Sequence, residues 1–425
     1  MNVITAPLLA QTVDVVERII RWQQPADALL SAHFRQHRLG PRERAFVAET
    51  AYALLRHWRS LSSWLGAHAS PRELVLATLI QRRGYSLRML EGALGKIEAQ
   101  WLRELKARPQ AAPTLAERCE LPDWLLERLL PVWGEAGLIE LADGLNTPAP
   151  LDLRVNPLKI ERPAALARLH ADGFKAVPGT LSPLAIRVTG RPALNRHPLF
   201  LDGSLEVQDE GSQLLAFLLA PRRGERVADF CAGTGGKTLA LGALMRSTGR
   251  LYAFDVSAAR LQRLKPRLAR SGLSNVHPVA IADENDARIK RLAGKLDRVL
   301  VDAPCSGLGT LRRNPDLKWR QSAQAVSELA AKQARILAAA SRLVKPGGRL
   351  VYATCSILAE ENEEVVAAFL AAQPAFRRCD APEELQRHGV CLPAENAGDG
   401  PRDLHLWPQR HGCDGFYAAL LERQA

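Results

Sequence analysis

The chain has no Cys-x-x-Cys pair and no zinc-ligand spacing among its seven cysteines, Cys119, Cys231, Cys305, Cys355, Cys379, Cys391 and Cys413. That argues against the familiar structural zinc modules and a paired disulfide framework, and an odd count suits a reducing compartment. No apolar run approaches the roughly 20 residues that a membrane-spanning helix needs. The first residues, Met1 to Pro7, lack a basic segment followed by a sustained apolar stretch, so no secretory signal is expected. Neither an internal repeat nor a low-complexity tract is present. A cytoplasmic, monomeric protein that holds no metal and meets no membrane is the expectation.

What is present is length, apolar content and positive charge. A chain of 425 residues supports two or three domains with buried cores, and a hydrophobic share of 47% makes it globular rather than disordered. The formal net charge of +12 points to a polyanionic partner. The excess is concentrated. Lys and Arg number 8 against 3 Asp and Glu in residues 151–200, but 18 against 16 in residues 1–150 and 31 against 26 in residues 201–425. That dense stretch, with Arg154, Lys159 and Arg162, is expected to face nucleic acid; a merely solvated basic face is the plainer alternative.

Residues 1 to about 110 read as all helical. Apolar residues such as Val15, Val16, Ile19 and Ile20, then Val47, Ala51, Leu54 and Leu55, recur at helical spacing, and Pro25, Pro41 and Pro71 sit at plausible helix starts. Lys106–Pro113 reads as a linker, followed by short helices around Trp124–Leu130 and Leu138–Leu145. Pro148 opens a β-rich stretch. From about Gln208 to residue 372, strands alternate with helices in the pattern of a doubly wound parallel sheet, and Leu404–Pro408 and Gly415–Leu421 read as late strands completing it.

Val227–Thr238 is a strand running into a glycine-rich turn and then a helix. Glycines there let a backbone approach a ligand, and the helix start offers free N–H groups. The turn is not a P-loop, because that motif's first glycine would fall on Cys231. A dinucleotide GxGxxG starting at Gly233 fails at Thr238. An adenosine-type ligand without a pyrophosphate remains, held by Cys231, Ala232, Gly233, Thr234, Gly235, Gly236 and Lys237. The next strand ends in Asp255, suited to ribose hydroxyls, and a third leads to Asp283, suited to an adenine amine. Each acid could instead be a helix cap. Together with the loop they favour S-adenosylmethionine.

Two further strand-like runs end at thiols, Cys305 after Asp302-Ala303-Pro304 and Cys355 after Ala353-Thr354. Strand ends of an open α/β sheet border its ligand crevice. Free cysteines are commonly just small buried hydrophobes; two of them beside a cofactor loop suggest covalent catalysis. Carbon 5 of cytosine is a poor nucleophile until a thiolate adds at C6, and a carboxyl group such as Asp302 can support the charge that develops near N3. The base must lie outside any stack, which favours flexible or single-stranded RNA. On this chemistry alone either thiol could attack.

Leu153–Pro157, Val207–Gln213, Asp229–Thr238, Asp302–Ser306, Arg312–Trp319, Tyr352–Ser356 with Glu360–Glu363, and Asp414–Tyr417 together resemble the Nop/Sun family of RNA cytosine-C5 methyltransferases, in family order across residues 150–421. The likeness is strongest to its bacterial small-subunit rRNA members, which carry an N-terminal NusB-like domain. Thr234 departs from the family's usual proline. The resemblance implies an α/β fold: a doubly wound, Rossmann-like class I methyltransferase sheet over 206–425, an α+β RNA-binding subdomain with linker helices over 111–205, and an all-α NusB-like domain over 1–110. It implies Cys355 as the nucleophile, Cys305 as the group that assists product release, Asp302 as a catalytic and cofactor-binding acid, S-adenosylmethionine as cofactor, and 16S rRNA, naked or in an early assembly intermediate, as partner. The loop after the Pro-Cys motif brings Arg312, Arg313 and Lys318 as candidate phosphate contacts and Trp319 as a base platform or a core anchor. The same chemistry on tRNA, or a non-catalytic RNA-binding assembly factor, are the alternative readings.

Overall fold

A computed structural model of the protein describes residues 4–66, 68–109, 112–190, 192–390, 392–393 and 401–425. The chain divides into two compact units, Met1–Thr147 with Thr310–Ala323, and Pro148–Gly309 with Gln324–Ala425.

The first unit is helical. Its main helices are Ala6–Ile19, Ala26–Gln36, Pro41–Arg56, Trp58–Leu65, Pro71–Gln81, Lys96–Ala107 and Asp123–Asn146. Their apolar stripes meet in one core that includes Leu9, Val16, Ile19, Leu54, Leu55, Leu76 and Leu79. Pro71 occupies a first turn where its missing N–H costs nothing. The preceding Ser70 caps that turn, its N–H donating to the Glu73 carboxylate at 2.7 Å. The run Asp123–Asn146 is broken at Gly134, whose φ of 63° ends one helix and starts the next. The helices Leu115–Cys119 and Asp123–Asn146 pack within this unit, which extends to Thr147.

The loop after the Pro-Cys motif also joins this unit, and its side chains point inward. Trp319 donates from Nε1 to the Leu55 carbonyl at 3.0 Å. Asp316 accepts from the Ala26 N–H at 3.2 Å, and Lys318 donates to the Arg56 carbonyl at 3.2 Å and to Asn146 Oδ1 at 2.8 Å. Lys318 is fully buried, and burial lowers its pKa to about 7. Arg312 is buried as well, and Arg313 is half-buried with its backbone N–H bonded to Thr310. The expected phosphate contacts at Arg312 and Lys318 are therefore corrected: both side chains close a helical core, and Trp319 is an anchor of it.

The second unit holds two sheets. Strands β1 (Leu151–Val155), β2 (Ala176–Pro178), β3 (Ala185–Val188) and β4 (Leu205–Val207) form a small antiparallel sheet in the order β2-β3-β1-β4. Alternation along β1 sends Leu153 and Val155 into a core shared with Ala165 and Leu169 of the helix Arg162–Ala171. Its other face carries Asp152 and Arg154, both buried; Asp152 pairs with Arg187 at 2.7 Å.

The large sheet is built from β5 (Arg226–Asp229), β6 (Arg250–Asp255), β7 (Val276–Ala280), β8 (Leu296–Asp302), β9 (Val344–Thr354), β10 (Phe376–Cys379), β11 (Leu404–Leu406) and β12 (Phe416–Arg423). Its order is β10-β12-β9-β8-β5-β6-β7, with β11 on β12. The strands from β9 to β7 are parallel, and β12, β10 and β11 complete the sheet antiparallel. This is the doubly wound, Rossmann-like architecture expected. Connections reverse direction between β5 and β8, so the crevice opens at the carboxyl ends of those two strands. No helix among the described residues is long and apolar enough to cross a membrane.

Candidate active site

The carboxyl ends of β5, β6, β8 and β9 converge on a cavity of about 560 Å³. Cys231, Ala232, Gly233, Thr234, Gly236 and Lys237 line one side, Asp255 another, and Asp302, Cys305 and Cys355 a third. Gly235 lies behind this lining with φ of 87°, and a Cβ there would stand 2.1 Å from the Leu264 side chain, so the turn requires glycine.

The loop is braced from outside the sheet. Arg154, on β1, donates from Nη1 to the Gly236 carbonyl at 2.7 Å and to the Gln208 side chain. Its guanidinium is buried, which lowers its pKa to about 10. The expectation that Arg154 faces nucleic acid is thus corrected: the buried guanidinium reaches no solvent and holds the glycine loop instead. Arg267 adds a second brace, donating to the Thr234 carbonyl at 2.7 Å, and is itself paired with Glu206 at 2.9 Å. Lys159 remains exposed, its ammonium on the Asp202 and Arg270 carbonyls at 2.5 and 2.6 Å, and Arg162 is half-buried against the Ser182 carbonyl at 3.2 Å.

Asp255 accepts from the Gly233 N–H at 2.8 Å and from the Ser257 N–H at 2.7 Å, which leaves each oxygen a second lone-pair direction. Asp229, at the floor, accepts from Thr238 Oγ1 at 2.7 Å through one oxygen, while the other is buried without a hydrogen-bond partner. Burial, opposed by the Thr238 hydrogen bond and reinforced by the charge of Asp302, raises the Asp229 pKa to about 7. Asp283 is exposed, bonded to the Asn285 N–H at 2.7 Å, and the cavity wall beside it is made by Ile281 and Glu284. The expected adenine contact at Asp283 therefore does not appear in the cavity lining.

The two thiols, fifty residues apart in sequence, lie with their Sγ atoms 3.3 Å apart. The register explains this. Residues 298–302 of β8 pair with 349–353 of β9 in parallel, so both loops leave the sheet at the same level. Their electrostatic surroundings differ. Contact with Cys355, burial and the charge of Glu361 push the Cys305 thiol well above the usual thiol range. Lys237 stands on the other side, 2.6 Å from Asp302 Oδ2. Burial works against its charge, but Asp302 and the nearby Cys355 hold its pKa above the ordinary lysine value. One thiol thus lies in the field of an anion and the other beside a cation.

Several residues of this site carry no catalytic or cofactor signature in the sequence. Arg267 and Gln208 support the glycine loop, and Arg260 and Lys332, both exposed, line the cavity mouth. Gln208 lies in the motif Val207–Gln213, which marks it, whereas no local pattern distinguishes Arg260, Arg267 and Lys332 from other helix residues.

Comparison with known proteins agrees with this geometry. A family model described as 16S rRNA methyltransferase RsmB/F matches residues 216–422, and one for the ferredoxin-like domain of RsmF/B-like methyltransferases matches residues 121–195. A probable ribosomal RNA small subunit methyltransferase B from Synechocystis sp. is 30% identical, over 96% of this chain and 98% of its own length. The chain belongs to the small-subunit ribosomal RNA methyltransferase B family. The corresponding protein of Sodalis glossinidius is 36% identical over 78% of this chain and 75% of its own length. Among solved structures, that of PH0851 covers 99% of both chains with a TM-score of 0.80 at 26% identity.

Proposed function

We propose that this methyltransferase modifies C5 of a cytosine in small-subunit rRNA, using S-adenosylmethionine and a covalent thiol adduct at C6. The observation that carries this reading is the pair of thiols 3.3 Å apart in the cavity that the glycine loop lines, one beside Lys237 and the other in the field of Glu361.

The residues present fit the cofactor. Asp255 has lone pairs for ribose hydroxyls, and the buried, unpartnered oxygen of Asp229 calls for a donor such as an amino group. When bound, the cofactor supplies an electrophilic methyl group on sulfonium sulfur. Cys355 adds as its thiolate to C6, forming the bond there and pushing electrons toward C5 and N3. Asp302 offers an acceptor to the base edge and Lys237 a donor, so the pair meets the charge that builds on the ring. After methylation the C5 proton is lost to water and Cys355 is expelled, and Cys305, 3.3 Å from Cys355, is positioned to donate its proton to the departing sulfur. The names carried by the relatives support rRNA as the substrate.

The test is direct. The full chain, given labelled S-adenosylmethionine and unmodified small-subunit rRNA, either naked or in an early assembly particle, should produce 5-methylcytosine at a discrete site. Label appearing only in tRNA, or on another atom or base, would overturn the proposal.

A further inference from the structure

Glu361 is fully buried and lies outside the cavity lining, so its charge acts on Cys305 from behind the site. Its contacts lead to the same thiol. Oε1 accepts from the Ser306 N–H at 2.8 Å and Oε2 from the Ser306 hydroxyl at 2.5 Å. Gln333 donates from Nε2 to Glu361 Oε1 at 2.9 Å and to the Pro304 carbonyl at 3.0 Å. Both residues flanking Cys305 are therefore gripped. The neighbouring Asn362 does the same for the other thiol, accepting from Thr354 Oγ1 at 2.5 Å and donating to the Ser356 carbonyl at 3.2 Å. Tyr352, on β9, ties the arrangement to the sheet by donating to the Glu361 carbonyl at 2.6 Å. The hydroxyls of Ser306 and Ser356 lie 3.3 Å apart and close the ring.

We infer that Glu361 and Asn362 are positioning residues that clamp the two thiol loops, Glu361 setting Cys305 through Ser306 and Asn362 setting Cys355. The inference rests on the function proposed above for its meaning, but not for its measurement. A buried carboxylate is costly unless its lone pairs are filled, and here three donors fill them. An uncharged residue could brace Ser306 as well. The negative charge adds something a brace alone does not: it disfavours ionisation of Cys305 and so keeps that thiol protonated while its neighbour attacks.

The pH dependence of alkylation tests this on the full chain without RNA or cofactor. Iodoacetamide labelling of Cys305 and Cys355 would be followed by peptide mass spectrometry in the wild type and in Glu361→Gln, which keeps the shape and removes the charge. The pH at which Cys305 reacts at half its limiting rate should fall by about 1, with Cys355 little changed. In turnover, Glu361→Gln should lower kcat about tenfold and move its pH profile toward acid, with the KM for RNA unchanged. Should that variant not fold, Ser306→Ala removes one anchor and retains the charge, and should raise the Cys305 alkylation rate several-fold at every pH. An unchanged Cys305 profile in a folded Glu361→Gln, or an unchanged rate in Ser306→Ala, would overturn the clamp. If the wild type makes no 5-methylcytosine, the proposed function fails, while the alkylation profiles still decide the clamp.

Discussion

Arg154 Nη1 lies 2.7 Å from the Gly236 carbonyl, so a residue of the small antiparallel sheet completes the glycine loop of the large one. The two sheets belong to one compact unit, and the contact gives that unity a functional consequence. A charge that reads as RNA-facing in sequence is spent on shaping the candidate cofactor site.

Arg154→Met should therefore weaken S-adenosylmethionine binding by about one to two decades, the loss associated with a charge-assisted hydrogen bond of ~1.5–3 kcal/mol. The salt dependence of RNA binding should stay the same, because no phosphate contact is removed. Calorimetry with the cofactor and filter binding across a salt series separate the two effects. A flattened salt slope with unaltered cofactor affinity would return Arg154 to the RNA surface.

RNA should instead meet the cations at the cavity mouth. Arg260 and Lys332 are exposed and line it. Replacing both with Gln should reduce the slope of log affinity against log salt by about 1.4, two contacts at ~0.7 each for single-stranded RNA. An unchanged slope would show that these side chains are only solvated.

The two thiols should fail in different ways. Cys355→Ala should abolish methyl transfer while cofactor binding survives, because Asp255 and the glycine loop are untouched. Cys305→Ala should still add to the base but release it slowly, leaving a protein–RNA species that persists through denaturing electrophoresis. If the adduct builds up in the Cys355 variant and not in the Cys305 variant, the roles are exchanged.

Lys318 makes a prediction about stability. Its folded pKa is lowered to about 7, against an ordinary lysine value near 10.4. Between those values the unfolded chain binds the extra proton, so stability rises with pH across that window; below about pH 7 both states hold the proton and the gain is absent. Relative to Lys318→Met, the wild type should gain about 1–3 kcal/mol from pH 7 to pH 10. Parallel denaturant titrations of both proteins measure it, and a constant difference across that range would mean Lys318 does not titrate as described.

The strands, the glycine turn and the two thiol loops were legible in sequence because each is a local pattern: β-branched runs, glycines at a turn, cysteines at strand ends. The helical first unit was legible for the same reason, through 3.6-residue spacing. Polar and charged residues were not, since a lone Arg or Lys looks alike whether it meets phosphate or a buried carbonyl. In the sequence Arg154 and Lys318 look like surface cations, and only packing shows that one braces Gly236 and the other fills a helical core. Glu361 stands at the opposite extreme: it sits inside a motif visible in the sequence, yet its hold on Ser306 exists only once β8 and β9 are paired. Sequence by itself determined which chemical groups stand at the strand ends. Tertiary structure decided which charges face water and which face each other, because burial and hydrogen-bond partners come from segments brought together only by folding.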